Sequence, residues 1–358
     1  MSEADMASIQ AQFRTFHGTI KLNWNDEQAT LREKRGIVIQ KLRDQLKKRF
    51  EDEKKPVPTF EERNQGSYAM GTGVKPLDSD FDLDVALLFN LSKDDEQPVT
   101  VKQWVHDALD GHTKDVKIKR PCVTVQYVKD DEPAYHLDLA VYAAKNDDDK
   151  VFLAKGFPGS AAENKVWEES DPMALVAAVD ARHAGEDRDQ FKRVICYLKR
   201  WKDEKFPTNG EAAPRGIALT SAAYHWFQPV STLVDVVSMK REYDDHKATY
   251  DLVMNMLGRF ASEWDGATNS LRPRLHAPLP VPPNQDPFDR MSFGQMESFK
   301  TKLESLRDAL KASMDEVDPH VACQHLADNA FGKDFPVPPK EETASRGGPS
   351  IISSNTSA

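Results

Sequence analysis

The sequence is poor in cysteine and has no long apolar segment. Its 358 residues include only Cys122, Cys196 and Cys323, which are too few for a disulfide framework, so the composition predicts a reducing, cytoplasmic location. No apolar run approaches the length that spans a bilayer. The N-terminal segment MSEADMASIQAQF lacks the basic and then apolar pattern of a signal peptide. These absences predict a protein with no membrane partner.

The sequence also lacks an excess of positive charge. It has 48 basic and 58 acidic residues, for a net charge of −10. Proteins that hold long nucleic acids through the phosphates are usually basic on the binding face. This balance therefore argues against DNA or long RNA as the main partner, but it leaves room for a small anionic ligand held by a local basic cluster.

The order of sequence patterns predicts an α+β fold in two lobes. A helical pattern over residues 26–52, with Asn25 as its N-cap, precedes short strand-like runs at 85–89, 122–128 and 135–142. The last two runs are predicted to form an antiparallel hairpin in a small mixed sheet with flanking helices. Further helices are predicted at residues 104–109, 187–205, 217–227, 247–261 and 292–314. The predicted domains are residues 1–165, with the long N-terminal helix and the sheet, a helical second lobe at 166–338, and a disordered tail at 339–358.

Aspartates are concentrated where one of these strands begins, in the segment QGSYAMGTGVKPLDSDFDLDVALLF (65–89). Side chains alternate along a strand, so Asp82 and Asp84 share one face, and Asp138 sits between leucines in the same way. If the two strands are neighbours, three carboxylates converge, and their repulsion calls for a cation. Oxygen ligands of this kind suit Mg²⁺. A single D-x-D is more often a pair of solvated acids, so this pattern needs support from its surroundings.

That support lies just upstream, in a glycine-rich loop. Gly66 and Ser67, followed by Gly71, Thr72 and Gly73, form an amide-rich segment of the kind that receives phosphates. A loop for phosphates beside carboxylates for metal indicates phosphoryl or nucleotidyl transfer.

These residues carry a family resemblance. The segment 65–89 resembles the G-S … D-x-D signature of the DNA polymerase beta-like nucleotidyltransferase superfamily, with Asp138 as the third carboxylate. More narrowly, the chain resembles the bacterial cGAS/DncV-like nucleotidyltransferases (CD-NTases), which make cyclic oligonucleotide signals in CBASS anti-phage defence. The narrower resemblance rests on the stretches NKVWEESDP (164–172), YLKRWKDEKFP (197–207) and HLADNAFGKDFP (325–336).

The resemblance implies a set of site residues. Asp82 and Asp84 would hold two Mg²⁺ ions, and Asp138 would hold the catalytic ion and help to deprotonate the ribose hydroxyl of the acceptor nucleotide. The remaining residues implied to bind the nucleotide are Gln65, Gly66, Ser67, Lys199, Lys202 and Ser221.

Three of these assignments have alternatives in the sequence. Asp80 and Asp82 could replace Asp82 and Asp84 as the metal pair if the register slips by two residues. Lys205 lies on the same helical face as Lys199 and Lys202, and a basic face is often only solvated. Thr220 is as polar as its neighbour Ser221, which is the candidate partner of Lys199.

The implied activity is Mg²⁺-dependent synthesis of a cyclic di- or trinucleotide from ATP- and GTP-type substrates. One alternative is another transferase of the same fold that tails RNA or modifies a protein or an antibiotic, and a second is a catalytically silent nucleotide-binding module. The implied partners are operon-encoded E1/E2-like or other CBASS regulators, and the conjugation machinery could join the tail to a target through Ala358. The cluster formed by His320, Cys323 and His325 has too few ligands for a structural zinc site.

Overall fold

The first lobe is built on a mixed β-sheet. A computed structural model describes residues 8–22, 27–77, 80–113, 115–127, 134–206 and 212–340. Seven strands form the sheet, in which β1, β2, β5, β4 and β3 follow one another, while β6 pairs with β5 and β7. The strands are β1 (Phe60–Asn64), β2 (Asp80–Phe89), β3 (Asp115–Ile118), β4 (Val123–Tyr127), β5 (Ala134–Ala143), β6 (Phe152–Ala154) and β7 (Trp167–Glu169).

The centre of the sheet is the parallel pair β2 and β5, whereas the other pairings are antiparallel. The predicted hairpin between β4 and β5 is therefore confirmed. Alternation along β2 buries Leu83, Val85 and Leu87 in the core of this lobe, as predicted.

Ten α-helices occur in the described residues. They are α1 (Gln10–Ile20), α2 (Glu27–Asp52), α3 (Gly66–Ala69), α4 (Pro98–Leu109), α5 (Pro172–Ala181), α6 (Gly185–Lys205), α7 (Gly216–Trp226), α8 (Asp245–Leu257), α9 (Phe293–Met314) and α10 (Pro319–Leu326). The long helix α2 packs Val38, Leu42 and Leu46 against the first lobe. Its predicted N-cap, Asn25, lies outside the described residues.

The second lobe is mainly helical and is centred on α6. Phe191, Val194, Ile195, Leu198 and Trp201 of this helix are fully buried, so its predicted apolar face is confirmed. The predicted α+β class is confirmed as well.

Two β-hairpins interrupt the second lobe, and the sequence analysis did not predict them. They are formed by β8 (Ser231–Asp235) with β9 (Lys240–Tyr243), and by β10 (Ala261–Asp265) with β11 (Ser270–Arg274). The predicted helix at 247–261 was therefore wrong at its C-terminal end: α8 stops at Leu257, and Gly258 is its C-cap. The turn of the second hairpin places Asn269 at φ 53°, a conformation that asparagine tolerates.

Helix α1 packs in the core of the second lobe although it begins the described chain. Phe13 and Phe16 are fully buried there, with the Phe13 ring centroid 5.2 Å from that of Tyr197 and 5.2 Å from that of Phe335. The domain boundary at residue 165 stays a prediction.

No helix in the described ranges is long and apolar enough to cross a membrane.

Candidate active site

Three aspartates lie on one face of two adjacent strands. The register of β2 and β5 sets Asp84 opposite Asp138 and Asp82 opposite His136. Because the strands are parallel and in register, these side chains share one face of the sheet, opposite the buried leucines. Asp80 begins β2 opposite Ala134, so the ladder places Asp84 rather than Asp82 beside the third carboxylate.

The three carboxylates differ in their surroundings. The Asp82 side chain is 68% exposed, and its Oδ1 lies 3.3 Å from Nδ1 of His136. Asp138 accepts a 2.5 Å hydrogen bond from the Thr124 hydroxyl. Burial, followed by the charges of Asp138 and Asp82, raises the pKa of Asp84 to about 7.

The glycine-rich loop packs directly on Asp84. The Gln65 amide donates to the Asp84 carbonyl at 3.1 Å, and Gly66 then turns the chain with φ +64° into α3. A Cβ atom at Gly66 would overlap Oδ2 of Asp84. The Gln65 side chain is held by the Tyr142 hydroxyl at 2.9 Å. Glycine is therefore required at this position by both conformation and space.

Helix α6 reaches this loop from the second lobe. Nζ of Lys199 donates to the Thr72 carbonyl at 2.9 Å and lies 3.0 Å from the Thr72 hydroxyl. Burial is the main reason that the pKa of Lys199 is lowered to about 8. Lys202 lies one turn further along and pairs with Asp203 at 2.7 Å.

Ser221 does not make the contact with Lys199 that the sequence analysis suggested for it. It was the candidate partner of Lys199, but its hydroxyl donates to the Pro278 carbonyl at 2.9 Å, and Lys199 bonds to Thr72 instead. The expected pairing of Lys199 with Ser221 is thus replaced by a contact between the two lobes. Thr220, the alternative in the sequence, lines the cleft described next.

A cleft of about 680 Å³ lies between the lobes. This volume is within the range of sites that bind small molecules, about 300–1,000 Å³. All of the predicted site residues lie in the described ranges, and Asp138 and Ser221 are those that do not line the cleft. The predicted residues that line it are Gln65, Gly66, Ser67, Asp82, Asp84, Lys199 and Lys202.

Sequence reasoning missed three parts of this site. His136 stands two residues before Asp138, and that spacing on a strand could have indicated a shared face. Thr72 had been noted only as part of the loop. The third part is the segment 279–285, which contributes Leu279, Val281, Pro282, Pro283 and Gln285 to the cleft wall.

The cysteines and the candidate zinc cluster have ordinary environments. Cys122, Cys196 and Cys323 are free and buried. Nδ1 of His320 lies 2.8 Å from the Pro338 carbonyl.

Comparison with known proteins was made for the sequence and for the fold. Residues 58–142 match the family model described as the cyclic GMP-AMP synthase DncV-like nucleotidyltransferase domain. The fold is similar to that of the Vibrio cholerae DncV cyclic AMP-GMP synthase, with 16% identity, a TM-score of 0.64, and coverage of 91% of this chain and 96% of that one. It is also similar to the Bradyrhizobium diazoefficiens CD-NTase CdnG in complex with GTP, with 15% identity, a TM-score of 0.66, and coverage of 92% and 97%.

Proposed function

We propose, from the premise that this chain is a cGAS/DncV-like nucleotidyltransferase, that it joins nucleoside triphosphates into a cyclic di- or trinucleotide. The family and the enzyme class predicted from the sequence are both confirmed by the match over residues 58–142. The observation that carries the proposal is the pairing of Asp84 with Asp138 on adjacent strands, with Asp84 packed on Gly66 and both Gly66 and Asp84 lining a cleft between two lobes.

The proposed substrates are nucleotides of the ATP and GTP type. Support comes from the similar structures, of which one is a cyclic AMP-GMP synthase and another is in complex with GTP. Lys199 and Lys202 line the cleft, and Lys199 bonds to Thr72 of the loop that carries Ser67, so these two lysines are the cations available to an anionic ligand at this end. We assign the triphosphate of the donor nucleotide to this end, with Gln65, Gly66 and Ser67 on one side and the two lysines on the other.

The carboxylates fit divalent metal. Asp84 lies near two other acids, and its burial, followed by the charges of Asp138 and Asp82, raises its pKa to about 7, which a nearby cation would lower. We assign two Mg²⁺ ions to Asp82, Asp84 and Asp138, whose oxygen donors suit this ion. When bound, such ions offset the negative charge that develops on the reacting phosphate and on the leaving pyrophosphate.

The protein's part in the reaction is positioning and proton transfer. Asp138 accepts the proton of the acceptor's 2′- or 3′-hydroxyl, while Thr124 fixes the orientation of this carboxylate through its bond to Oδ1. The deprotonated oxygen bonds to the α-phosphorus of the donor, and the bond from that phosphorus to pyrophosphate breaks. A repeat of the same step within the linear product closes the ring. Alignment of the two nucleotides in the cleft supplies most of the acceleration.

The biological setting follows from the family alone. We propose a cytoplasmic enzyme of anti-phage signalling, with operon-encoded E1/E2-like proteins as regulators. The tail that would be conjugated through Ala358 lies outside the described residues.

The test is to incubate the protein with four labelled NTPs and Mg²⁺, then treat the mixture with phosphatase. A small phosphatase-resistant product that disappears with EDTA or with Asp84→Asn is expected. Label in RNA, in protein or in an added antibiotic would identify another transferase of this fold. No turnover, with nucleotide binding retained, would identify a silent binding module.

A further inference from the structure

The segment 277–288 forms one wall of the cleft and is fixed at three places. At its start, Ser221 and His225 of α7 hold the Pro278 carbonyl at 2.9 and 2.7 Å. At its far end, the Gln285 side chain donates to Glu168 of the first lobe at 2.5 Å. The third place is a group of ionisable side chains at the base of the segment.

This group is centred on the His276 imidazole. Nδ1 lies 2.9 Å from Oδ2 of Asp286 and 3.6 Å from Oδ1 of Asp289. Nε2 lies 2.6 Å from Oε1 of Glu263, which belongs to β10. One imidazole is therefore surrounded by three carboxylates, two on one ring nitrogen and one on the other.

A protonated histidine leaves this group with excess negative charge. Three carboxylates and one imidazolium sum to a charge of about −2, and Glu263 and then Asp286 raise the pKa of His276 by hydrogen bonding. Asp286 is also tied to the backbone, since it accepts from the amides of Ala277 at 3.2 Å and Phe288 at 2.9 Å. Its side chain is only 9% exposed, so one of the acids is held firmly in place.

The arrangement has the features of a metal site. In the part of the chain that the structure describes, His276, Asp286 and Asp289 are the group whose ligand atoms all lie within 4.8 Å of one another. A tetrahedral ion with bonds of about 2.1 Å needs ligands about 3.4 Å apart, and the two distances at Nδ1 fall on either side of that value. Glu263 behind the ring matches the carboxylate that commonly orients a metal-bound histidine.

We propose that His276, Asp286 and Asp289 bind a first-row divalent cation, with Zn²⁺ as the best fit, and that Glu263 orients the imidazole. Imidazole disfavours Mg²⁺ and Ca²⁺, and two carboxylates with one nitrogen suit Zn²⁺ and related ions. Asp289 is 62% exposed and His276 46% exposed, so the ion can enter from solvent and keep a water ligand. This site is separate from the carboxylates of β2 and β5.

The ion would fasten the base of the cleft wall. Two of its ligands, His276 and Asp286, flank the residues that line the cleft, from Leu279 to Gln285. Binding would close this segment into a ring and reduce its freedom to open. The site is thereby placed to adjust the shape of the nucleotide cleft without contact with the substrate.

The experiment is calorimetric titration of the full chain with Zn²⁺ in a large excess of Mg²⁺, which saturates oxygen-only sites. Wild type should bind one more Zn²⁺ than His276→Gln. Glu263→Gln should weaken this site about 10- to 100-fold. Co²⁺ in place of Zn²⁺ should give a visible absorption band that His276→Gln lacks. Hydrogen exchange of residues 279–285 should slow on Zn²⁺ addition in wild type alone.

The matched control is Asp308→Asn on α9, because Asp308 is 68% exposed and comparable with Asp289. Asp289→Asn should weaken Zn²⁺ binding, and Asp308→Asn should leave it unchanged. Equal Zn²⁺ stoichiometry in wild type and a folded His276→Gln variant would overturn the proposal, and so would the absence of Zn²⁺ binding under Mg²⁺. Either result would mean that His276 is a protonated histidine held by ion pairs with the three carboxylates. These measurements do not require enzyme activity, so the zinc proposal can fail or succeed independently of the proposed function.

Discussion

Gly66 and Asp84 lie so close together that residue 66 has no room for a side chain. The backbone at Gly66 is left-handed, with φ +64°, and the space where a Cβ would lie is filled by the Asp84 carboxylate. The loop that we assign to the phosphates and the strand that carries the proposed metal ligands are thus in contact at a single atom position. Disturbing one should displace the other.

Gly66→Ala should reduce nucleotide transfer by about 100-fold, since a displacement near 1 Å at a reacting group has that effect. Gly71→Ala is the matched control, because Gly71 also has a left-handed φ, of +69°, but its nearest neighbour is Nζ of Lys192 at 3.7 Å. Both variants should lose about 1–2 kcal/mol of stability from backbone strain. Product formation and thermal unfolding of the two variants check this, and equal activity losses would contradict it.

Asp84→Asn should stabilise the metal-free protein at alkaline pH. An acid with a raised pKa contributes stability that is fully present below its ordinary value of 3.8 and is lost as pH rises through about 7. The Tm advantage of the asparagine variant in EDTA should therefore grow between pH 5 and pH 8. Added Mg²⁺ should raise the Tm of wild type at pH 8 and leave the variant unchanged. A constant difference across this range would argue against the burial of charge at Asp84.

Lys199 should make nucleotide affinity pH-dependent. Its pKa is about 8, and only the charged form attracts a triphosphate, so KM should rise as pH passes 8. Lys199→Arg should flatten this profile, because arginine stays charged. Lys199→Ala should raise KM about 10- to 100-fold, the cost of a lost charged hydrogen bond. Lys202→Ala is the comparison, and a larger KM effect there would move the triphosphate contact to Lys202.

The buried ion pair of Arg193 and Asp245 should be the most sensitive point of the second lobe. Nε and one terminal nitrogen of Arg193 lie 2.6 and 2.8 Å from the carboxylate, whose side chain is fully buried. Asp245→Asn leaves the guanidinium without a counter-charge and should cost about 3–5 kcal/mol in the free energy of unfolding. Asp180→Asn, which breaks a 2.7 Å pair with Lys192 at a half-exposed site, should cost about 0–1 kcal/mol. Urea unfolding of both variants measures the difference.

The core of the candidate site was predictable from local sequence. Alternation along a strand placed Asp82 and Asp84 on one face, and an amide-rich loop stood beside them. The pairing of Asp84 with Asp138 needed only that two strand-like runs be neighbours. Such features are predictable because they repeat over a few residues.

The contacts between distant parts of the chain were not predictable in the same way. Thr72 and Lys199 are 127 residues apart in the chain. At that separation nothing in the sequence marks the Thr72 hydroxyl as a better partner for Lys199 than the Ser221 hydroxyl. His276 and Glu263 are brought together by a hairpin whose strands are too short for a strong periodic pattern. The local sequence pattern therefore predicts the aspartates of β2 and the glycine-rich loop. The contacts of Lys199 and of His276 depend on tertiary packing, which local pattern does not reveal.

The position of α1 has a consequence for how the protein is made. This helix precedes the first lobe in the chain, yet one of the rings that cover Phe13 belongs to Phe335, which follows that lobe. The apolar face of α1 therefore cannot be buried until nearly all of the second lobe has left the ribosome, whereas the intervening sheet can fold before that. The first lobe is, in effect, an insertion within the second. Cutting the chain once, after the first lobe, would therefore leave α1 on the fragment that contains the first lobe, separated from the second lobe in which it packs.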